Sequence, residues 1–130
     1  MNDRFKFRVW DKENNKYKDD LYYESGDLQV TCLNKIFEEY ISDGCIIEQC
    51  TGLKDKNGKL IYEGDIVHSS LDGRTQKVIY WDDGLASFMA YNRYPNKLYT
   101  QRIGDRYFLE LGFEVIGNIH ENADLLENEE

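Results

Sequence analysis

The sequence predicts an α+β fold that is mostly β, in which N-terminal strands and one helix pack with a C-terminal β-barrel. Three observations support this prediction. Only one segment has the spacing of an amphipathic helix, most other apolar runs have the length of strands, and turn pairs that contain glycine separate these runs. The chain of 130 residues is long enough for a single domain with its own hydrophobic core.

The N-terminal part begins with a predicted strand. Residues 5–10 alternate between Phe or Val and other side chains, which is the period-two pattern of a half-buried strand. The polar residues 11–16 then predict a turn. A further short strand is predicted at residues 45–50, after the helix.

One helix is predicted over residues 32–42. Its apolar side chains recur at intervals of three and four residues and therefore share one face. They are Leu33, Ile36, Phe37, Tyr40 and Ile41. Thr31 is a suitable N-cap, and Gly44 is a suitable residue to end the helix in a left-handed conformation. We expect the apolar face to pack on a sheet.

Turn signals divide the C-terminal part into short segments. Asn57-Gly58, Asp72-Gly73 and Asp83-Gly84 suit the positive φ angles of tight hairpin turns. Five predicted strands lie between and after these turns, at residues 65–68, 77–81, 85–90, 107–111 and 113–119. Short strands with close turns favour a small antiparallel barrel, which also protects the sheet edges. The segment Glu63-Gly64-Asp65-Ile66-Val67 resembles the entry strand of many SH3-like barrels, in which a turn glycine precedes an alternating strand.

Charge is distributed unevenly along the chain. The formal net charge is −9, but residues 121–130 contain five acidic residues and no basic one, which leaves −4 for the rest of the chain. We expect an α+β part at residues 1–50 and an SH3-like barrel part at residues 51–120, which together form one compact unit. An acidic, mobile tail follows at residues 121–130. Leu125 and Leu126 are expected to anchor the first turn of this tail.

Composition disfavours several classes of protein. A negative net charge is the opposite of the positive field that non-specific nucleic-acid binders use. No apolar run approaches the roughly 20 residues of a membrane helix. No apolar segment follows the charged N-terminus, as it would in a signal peptide. We therefore expect a soluble, cytoplasmic protein that does not bind membranes.

The cysteines are interpreted as core residues. Cys32, Cys45 and Cys50 lie beside apolar residues, and an odd number of cysteines in a cytoplasmic chain disfavours disulfides. The spacing of Cys45 and Cys50 does not match a zinc knuckle, and only His68 and His120 are available to complete a site. We expect no metal and no cofactor.

Candidate catalytic groups are few. Asp82 and Asp83 adjoin a predicted hairpin turn, where carboxylates are solvated. Asp55 and Asn57 are interpreted as turn residues, because their spacing to Gly58 does not fit a calcium loop. No phosphate loop, nucleophile elbow or zinc-protease motif occurs. We therefore expect a protein that is not an enzyme and has no catalytic residues.

The stretch 91–108 has the most suggestive chemistry. Four basic residues and one acidic residue give it a local charge of +3, and aromatic residues are interleaved with them. Arginines beside aromatics are typical of single-stranded nucleic-acid binding, but they are also enriched at protein interfaces, and tyrosines can alternate into a core. The candidate interaction surface consists of Arg93, Tyr94, Tyr99, Arg102 and Arg106.

Three segments together carry a resemblance to a known family. They are KFRVWD at residues 6–11, TGLKDKNGKLIYEGDIV at residues 51–67 and EVIGNIHEN at residues 114–122. In order and spacing they resemble the YopX family of small proteins encoded by phages and prophages. The resemblance implies a C-terminal SH3-like barrel behind an α+β part, and it implies no catalytic residues. Cys50 stands where relatives often carry an aromatic residue, a difference that affects packing.

The resemblance implies an accessory protein of a phage or prophage in the cytoplasm of the host cell, and the lack of catalytic motifs favours a non-catalytic one. Its expected role is that of a protein-interaction or self-assembly module. The expected partners are further copies of this chain, in a homo-oligomer, or a host or phage protein. The alternative is a nucleic-acid-binding protein that uses the barrel and the stretch 91–108.

Overall fold

The computed structural model describes residues 6–18, 41–42, 44–69, 71, 76–92, 100–104 and 110–127. Within these residues the chain is mostly β, as predicted. The strands are β1 (Phe7–Asp11), β2 (Lys16–Tyr17), β3 (Cys45–Lys54), β4 (Leu60–Tyr62), β5 (Asp65–His68), β6 (Lys77–Asp82), β7 (Ser87–Asn92), β8 (Thr100–Arg102) and β9 (Glu114–Asn118). One short helix, α1 (Asp124–Glu127), follows them.

The predicted helix over residues 32–42 lies outside the described residues, except for its last two positions. Ile41 and Ser42 are helical. Gly44 follows them with a φ of 79°, and its N–H donates to the carbonyl of Ile41 at 3.0 Å. The left-handed residue predicted to end the helix is therefore confirmed at Gly44.

The first sheet has the strand order β2-β1-β3-β4 and is antiparallel throughout. β1 pairs with the first half of β3 in a register that places Arg8 opposite Glu48. β3 then passes through an irregularity between Cys50 and Lys54 and pairs with β4. This long strand continues past residue 50, where the boundary between the two parts is predicted.

The second sheet has the strand order β8-β7-β6-β5-β9 and is also antiparallel. It curls, so that residues from β3 and β4 pack against one of its faces. In the described part of the chain no pairing joins its edge strands β8 and β9. This part of the fold is therefore a curled half-barrel.

Two hairpin turns lie where the sequence predicts them, but one differs in detail. Gly58 has a φ of 85°, as predicted for Asn57-Gly58. The positive φ predicted for Gly84 is wrong, because the left-handed residue of the β6–β7 turn is Ala86, with a φ of 49°. Since Asp82 pairs with Ser87, this loop has four residues between the strands instead of two, and its left-handed residue comes last.

Strand bounds also differ from the predicted ones. The strand predicted at residues 85–90 is observed at Ser87–Asn92, and the one predicted at residues 45–50 extends to Lys54. The strand predicted at residues 107–111 is wrong at its end. Glu110 is helical and Leu111 lies in a turn. Gly112 follows with a φ of 65°, a left-handed turn conformation in which a strand does not continue.

Apolar clusters cover both faces of the second sheet, because successive side chains of a strand point to opposite faces. The larger cluster contains Ile61, Val67, Ile79, Ala90, Ile103 and Phe113. The smaller cluster, on the other face, contains Ile66, Val78 and Leu126, with Leu125 packed against it. Leu126 in α1 is 4% exposed, so the first part of the acidic tail is anchored to the sheet through the leucines expected to do so.

The described cysteines lie in the core of the protein. Cys45 and Cys50 are buried and reduced, as predicted for core residues, and Cys32 lies outside the described part. Within that part, no helix has the length and apolarity that a membrane span requires.

Candidate functional site

Most of the candidate surface predicted in the stretch 91–108 lies outside the described residues. This applies to Arg93, Tyr94, Tyr99 and Arg106. Arg102 is described: it ends β8, is exposed, and pairs in register with Met89. The candidate surface therefore stays a prediction, and the polar site that the structure defines in detail lies in another part of the molecule.

This site is a cluster of interacting side chains centred on Arg8, which we call the Arg8 cluster. Its members are Arg8, Tyr17, Glu48, Asp65 and His120. The Arg8 guanidinium donates from Nε to Glu48 Oε1 and from Nη2 to Asp65 Oδ1, both at 2.8 Å. Nη2 also donates to the backbone carbonyl of Glu63 at 3.0 Å. One arginine of β1 therefore contacts β3, the β4–β5 turn and β5.

Glu48 has three side-chain partners. Its Oε1 accepts from Arg8 and from the Tyr17 hydroxyl, the latter at 2.8 Å, and its Oε2 lies 2.9 Å from His120 Nε2. The Glu48 side chain is only 5% exposed. A carboxylate buried to this extent is tolerated because donors and a positive charge replace water around both oxygens.

The pairing register explains how the cluster forms. Arg8 and Glu48 are opposite each other in β1 and β3, and opposite residues of an antiparallel pair lie on the same face. Trp10 shares this face with Arg8 and stands opposite Tyr17 of β2. The Trp10 ring stacks on the His120 ring at 4.6 Å with an interplanar angle of 7°. The C-terminal segment that carries His120 is therefore packed against the first sheet.

Aromatic rings enclose the guanidinium of Arg8. Its Cζ lies 4.6 Å from the ring centroid of Tyr17 and 4.9 Å from that of Tyr62. Rings at these distances attract a cation and exclude water from its faces. Burial is the largest single effect and lowers the pKa of Arg8. The Asp65 and Glu48 carboxylates together exceed it, so the pKa of Arg8 is raised. Arg8 is therefore a permanent positive charge in this cluster.

Burial shifts the pKa values of other members. Desolvation raises the pKa of Tyr17, so this side chain is a neutral phenol that donates to Glu48. Desolvation also raises the pKa of Asp65, against the opposing effects of Arg8 and of the Tyr62 N–H that donates to Asp65 Oδ2 at 2.8 Å. Both shifts follow from the removal of water, which penalises the charged form.

A groove of about 380 Å³ lies beside the cluster. Its walls come from β3, from the β4–β5 turn, from β6 and β7, and from the C-terminal segment. The described residues that line it are Ile46, Ile47, Glu48, Glu63, Gly64, Val78, Ile79, Tyr80, Tyr91, Ile119 and Leu126. Among these described side chains, only two carboxylates and two tyrosine hydroxyls are polar.

The two carboxylates of the groove differ in their surroundings. Glu48 belongs to the Arg8 cluster and is enclosed by donors. In the described residues, the Glu63 side chain has one hydrogen-bond partner, the N–H of Gln49 at 2.9 Å, and no ion pair. Burial raises the pKa of Glu63 and the nearby charge of Glu48 adds to the effect, while the Gln49 N–H and the charge of Arg8 oppose it without cancelling it. Glu63 is thus an incompletely compensated carboxylate at the groove.

Gly64 joins the groove to both sheets. Its φ is 83°, its N–H donates to the Ile79 carbonyl at 2.8 Å, and its carbonyl accepts from the Ile119 N–H at 2.9 Å. A Cβ at this position would overlap Glu48 Oε2. Glycine is therefore needed for the backbone conformation and also for the close approach of Glu48.

Comparison with known proteins identifies the family of this chain. A family model described as YopX protein matches residues 6–127. The chain belongs to the YopX family. Among solved structures, it is similar to protein EF1440 from Enterococcus faecalis, with 26% sequence identity, 93% of this chain and 96% of that chain covered, and a TM-score of 0.53. A search of curated proteins found no match.

The three segments that resemble the YopX family meet at the Arg8 cluster. Residues 6–11 supply Arg8, residues 51–67 supply Asp65, and residues 114–122 supply His120. Sequence reasoning did not place these side chains together, because Arg8 and Glu48 are separated by 40 positions and Glu48 and His120 by 72. The available signal was the presence of a charged residue within each of the three segments.

In this YopX-family site, the Arg8 cluster holds parts of the fold together, and the groove can bind a partner. Each charged member of the Arg8 cluster is directed at another member, so the cluster links the first sheet, the β4–β5 turn and the C-terminal segment. In the residues that the structure describes, no three histidine, cysteine or carboxylate side chains are grouped to hold a metal ion. The groove, by contrast, offers apolar walls and the Glu63 carboxylate, which forms no ion pair within the described residues.

Proposed function

We propose that this YopX-family chain is a non-catalytic accessory protein of phage type that acts in the host cytoplasm as a protein-interaction module. The observation that carries the proposal is the groove of about 380 Å³ between the two sheets. Concave apolar surfaces with a few polar groups are the usual sites of specific binding. The curled second sheet supports an SH3-like barrel as the architecture of this module.

The chemistry of the Arg8 cluster supports a non-catalytic role. Catalytic acids and bases must be able to reach a substrate, whereas Glu48 is engaged by Arg8, Tyr17 and His120. The side chains of Arg8 and Asp65 are likewise directed at one another. The cluster supports the groove, and the groove is the surface available to a partner.

The test is affinity capture of a tagged full-length chain from phage-infected or lysogenic cells, with and without nuclease. We expect a protein partner that survives nuclease treatment. The groove variant is Ile119→Ser, because Ile119 lines the groove and is 38% exposed, so the change disturbs folding little. The matched control is Leu71→Ser, whose leucine is 74% exposed and does not line the groove.

Loss of the partner with Ile119→Ser and its retention with Leu71→Ser would support the proposal. Equal retention by both variants would contradict a role for the groove. Release of all captured protein by nuclease would favour the alternative, nucleic-acid binding through the barrel and the stretch 91–108.

The end of the β6–β7 hairpin supports self-association as a second mode of interaction. Trp81 is 42% exposed and Leu85 is 47% exposed, and the Trp81 ring packs edge-on against Phe88 at 4.9 Å. Exposed aromatics are enriched at interface centres. We expect an oligomeric mass in light scattering at micromolar concentration and a lower mass for Trp81→Ser. A monomeric mass for the unaltered chain would contradict this mode.

A further inference from the structure

We propose that the groove binds a protein segment in which an arginine or lysine is flanked by apolar side chains, and that Glu63 receives the cation. This inference rests on the proposed function and names the chemistry of its partner. Three features support it: the different surroundings of the two carboxylates of the groove, its apolar walls, and the negative net charge of the chain.

Glu63 is the carboxylate that a partner can neutralise. Glu48, the other carboxylate of the groove, already has Arg8, Tyr17 and His120 around it. Glu63 accepts only the Gln49 N–H in the described residues, and the Arg8 guanidinium reaches its backbone carbonyl instead of its carboxylate. A half-buried carboxylate with one neutral donor retains unused acceptor capacity, which an ammonium or guanidinium group can satisfy.

The walls of the groove favour apolar residues next to the arginine or lysine of the bound segment. Aliphatic side chains from β3, β6 and the C-terminal segment line it, together with Tyr80 and Tyr91, whose rings meet edge to face at 4.9 Å. Such walls exclude water and favour apolar neighbours on the ligand. They also suit the long methylene stem of a lysine or arginine, and tyrosine rings attract its charged head.

The charges favour a basic protein segment over a nucleic acid. The formal net charge is −9, which draws cationic partners and repels phosphates. The described residues that line the groove include two carboxylates and no lysine or arginine. A nucleic acid requires basic groups along its backbone, whereas a peptide needs a single cation opposite Glu63.

The test is selection of a displayed library of random dodecapeptides against the folded, full-length chain. Enriched peptides are synthesised and titrated by isothermal calorimetry. We expect them to contain an arginine or lysine next to aliphatic or aromatic residues. We also expect Glu63→Gln to weaken their binding about tenfold, since the charge-assisted hydrogen bond is lost while the shape of the groove is kept.

The matched control is Glu13→Gln, which makes the same charge change at an exposed residue of the β1–β2 turn. It should leave the dissociation constant within about twofold, because exposed charges contribute little. Replacing the basic residue of a selected peptide by glutamine should reproduce the loss seen with Glu63→Gln, and the two changes together should cause little further loss.

The outcomes separate this inference from the proposed function. Enriched peptides that bind the groove without a basic residue, or that bind Glu63→Gln as tightly as the unaltered chain, would overturn the inference and leave the proposed function intact. Binding sensitive to Glu63→Gln but insensitive to Glu13→Gln would support both. A selection that enriches no peptide would overturn both.

Discussion

Glu48 and Glu63 both line the groove, but they are stabilised in very different ways. Glu48 has a cation, a phenol and an imidazole within 2.9 Å, whereas Glu63 has one backbone N–H. The first arrangement offsets the cost of burial with internal contacts, and the second leaves part of that cost uncompensated. Groups that reduce stability without an internal gain are expected at functional sites. The comparison therefore separates a structural carboxylate from one available to a partner.

The largest effect is expected from removing the cation of the Arg8 cluster. Arg8→Met leaves Glu48 and Asp65 buried without their positive partner, and breaking a buried pair in this way costs about 3–5 kcal/mol. Urea denaturation at neutral pH measures this change. Arg102→Met is the control, because Arg102 is exposed on β8, and we expect it to change the free energy of unfolding by less than about 0.5 kcal/mol.

Equal effects of these two substitutions would contradict the structural role assigned to Glu48, because Glu48 would then need no internal cation. An intermediate loss for Arg8→Lys would show that the shape of the guanidinium contributes as well as its charge. Lysine keeps the charge but lacks the planar fork that reaches Glu48 and Asp65 together.

The next effect concerns the glycine that lets Glu48 approach the turn. Gly64 and Gly58 have nearly the same φ, 83° and 85°, but only at Gly64 would a Cβ meet another group, the Glu48 carboxylate. Gly58→Ala should therefore cost only the left-handed penalty of about 1–2 kcal/mol. Gly64→Ala should reduce stability more, because the new Cβ must also displace the Glu48 carboxylate. Thermal unfolding of both variants measures the difference. Equal losses would show that Glu48 moves aside freely.

These residues also show what could be predicted from the sequence. The alternation of residues 5–10 predicts a strand with Phe7 and Val9 on one face, which the structure has buried. The same alternation places Arg8 on the other face, which is the solvent face of the predicted half-buried strand. A C-terminal segment covers that face and brings His120 to Glu48. Sequence periodicity describes the faces of a strand, but it does not describe which distant segment covers them.

The turns illustrate the same limit at short range. Asn57-Gly58 was predictable, because one local pair determines both the turn and its positive φ. At Asp83-Gly84 the pairing of Asp82 with Ser87 sets the loop length, so the left-handed position falls on Ala86. Cross-strand register decides this detail, and no local residue pair encodes it.

A smaller loss is expected from the phenol that donates to Glu48. Tyr17→Phe removes the 2.8 Å hydrogen bond to Glu48 Oε1 but keeps the ring that covers Arg8. Hydrogen bonds to charged groups contribute about 1.5–3 kcal/mol, and we expect the lower end because Arg8 and His120 remain. Urea denaturation measures the loss, and no change in stability would mean that Glu48 is sufficiently compensated by the other two donors.

The smallest effect, and the one of opposite sign, is expected at Glu63. Burial raises its pKa, so the folded state binds a proton more readily than the unfolded state. Above the raised pKa the ionised carboxylate reduces stability, and this penalty is relieved as the pH falls through the raised pKa toward the ordinary value of 4.5. Glu63→Gln should therefore stabilise the chain at neutral pH, and the gain should shrink toward pH 4.5.

Asp55 provides the contrast for this pH dependence. Backbone donors from Val115, Lys59 and Asn57 together outweigh the larger single effect of burial and lower its pKa. Its contribution to stability is present above the ordinary pKa and is lost as the pH falls through the lowered one. Asp55→Asn should thus destabilise at neutral pH, where Glu63→Gln stabilises. If Glu63→Gln instead destabilised the chain at neutral pH, Glu63 would be a structural carboxylate like Glu48, and it would need no cation from a partner.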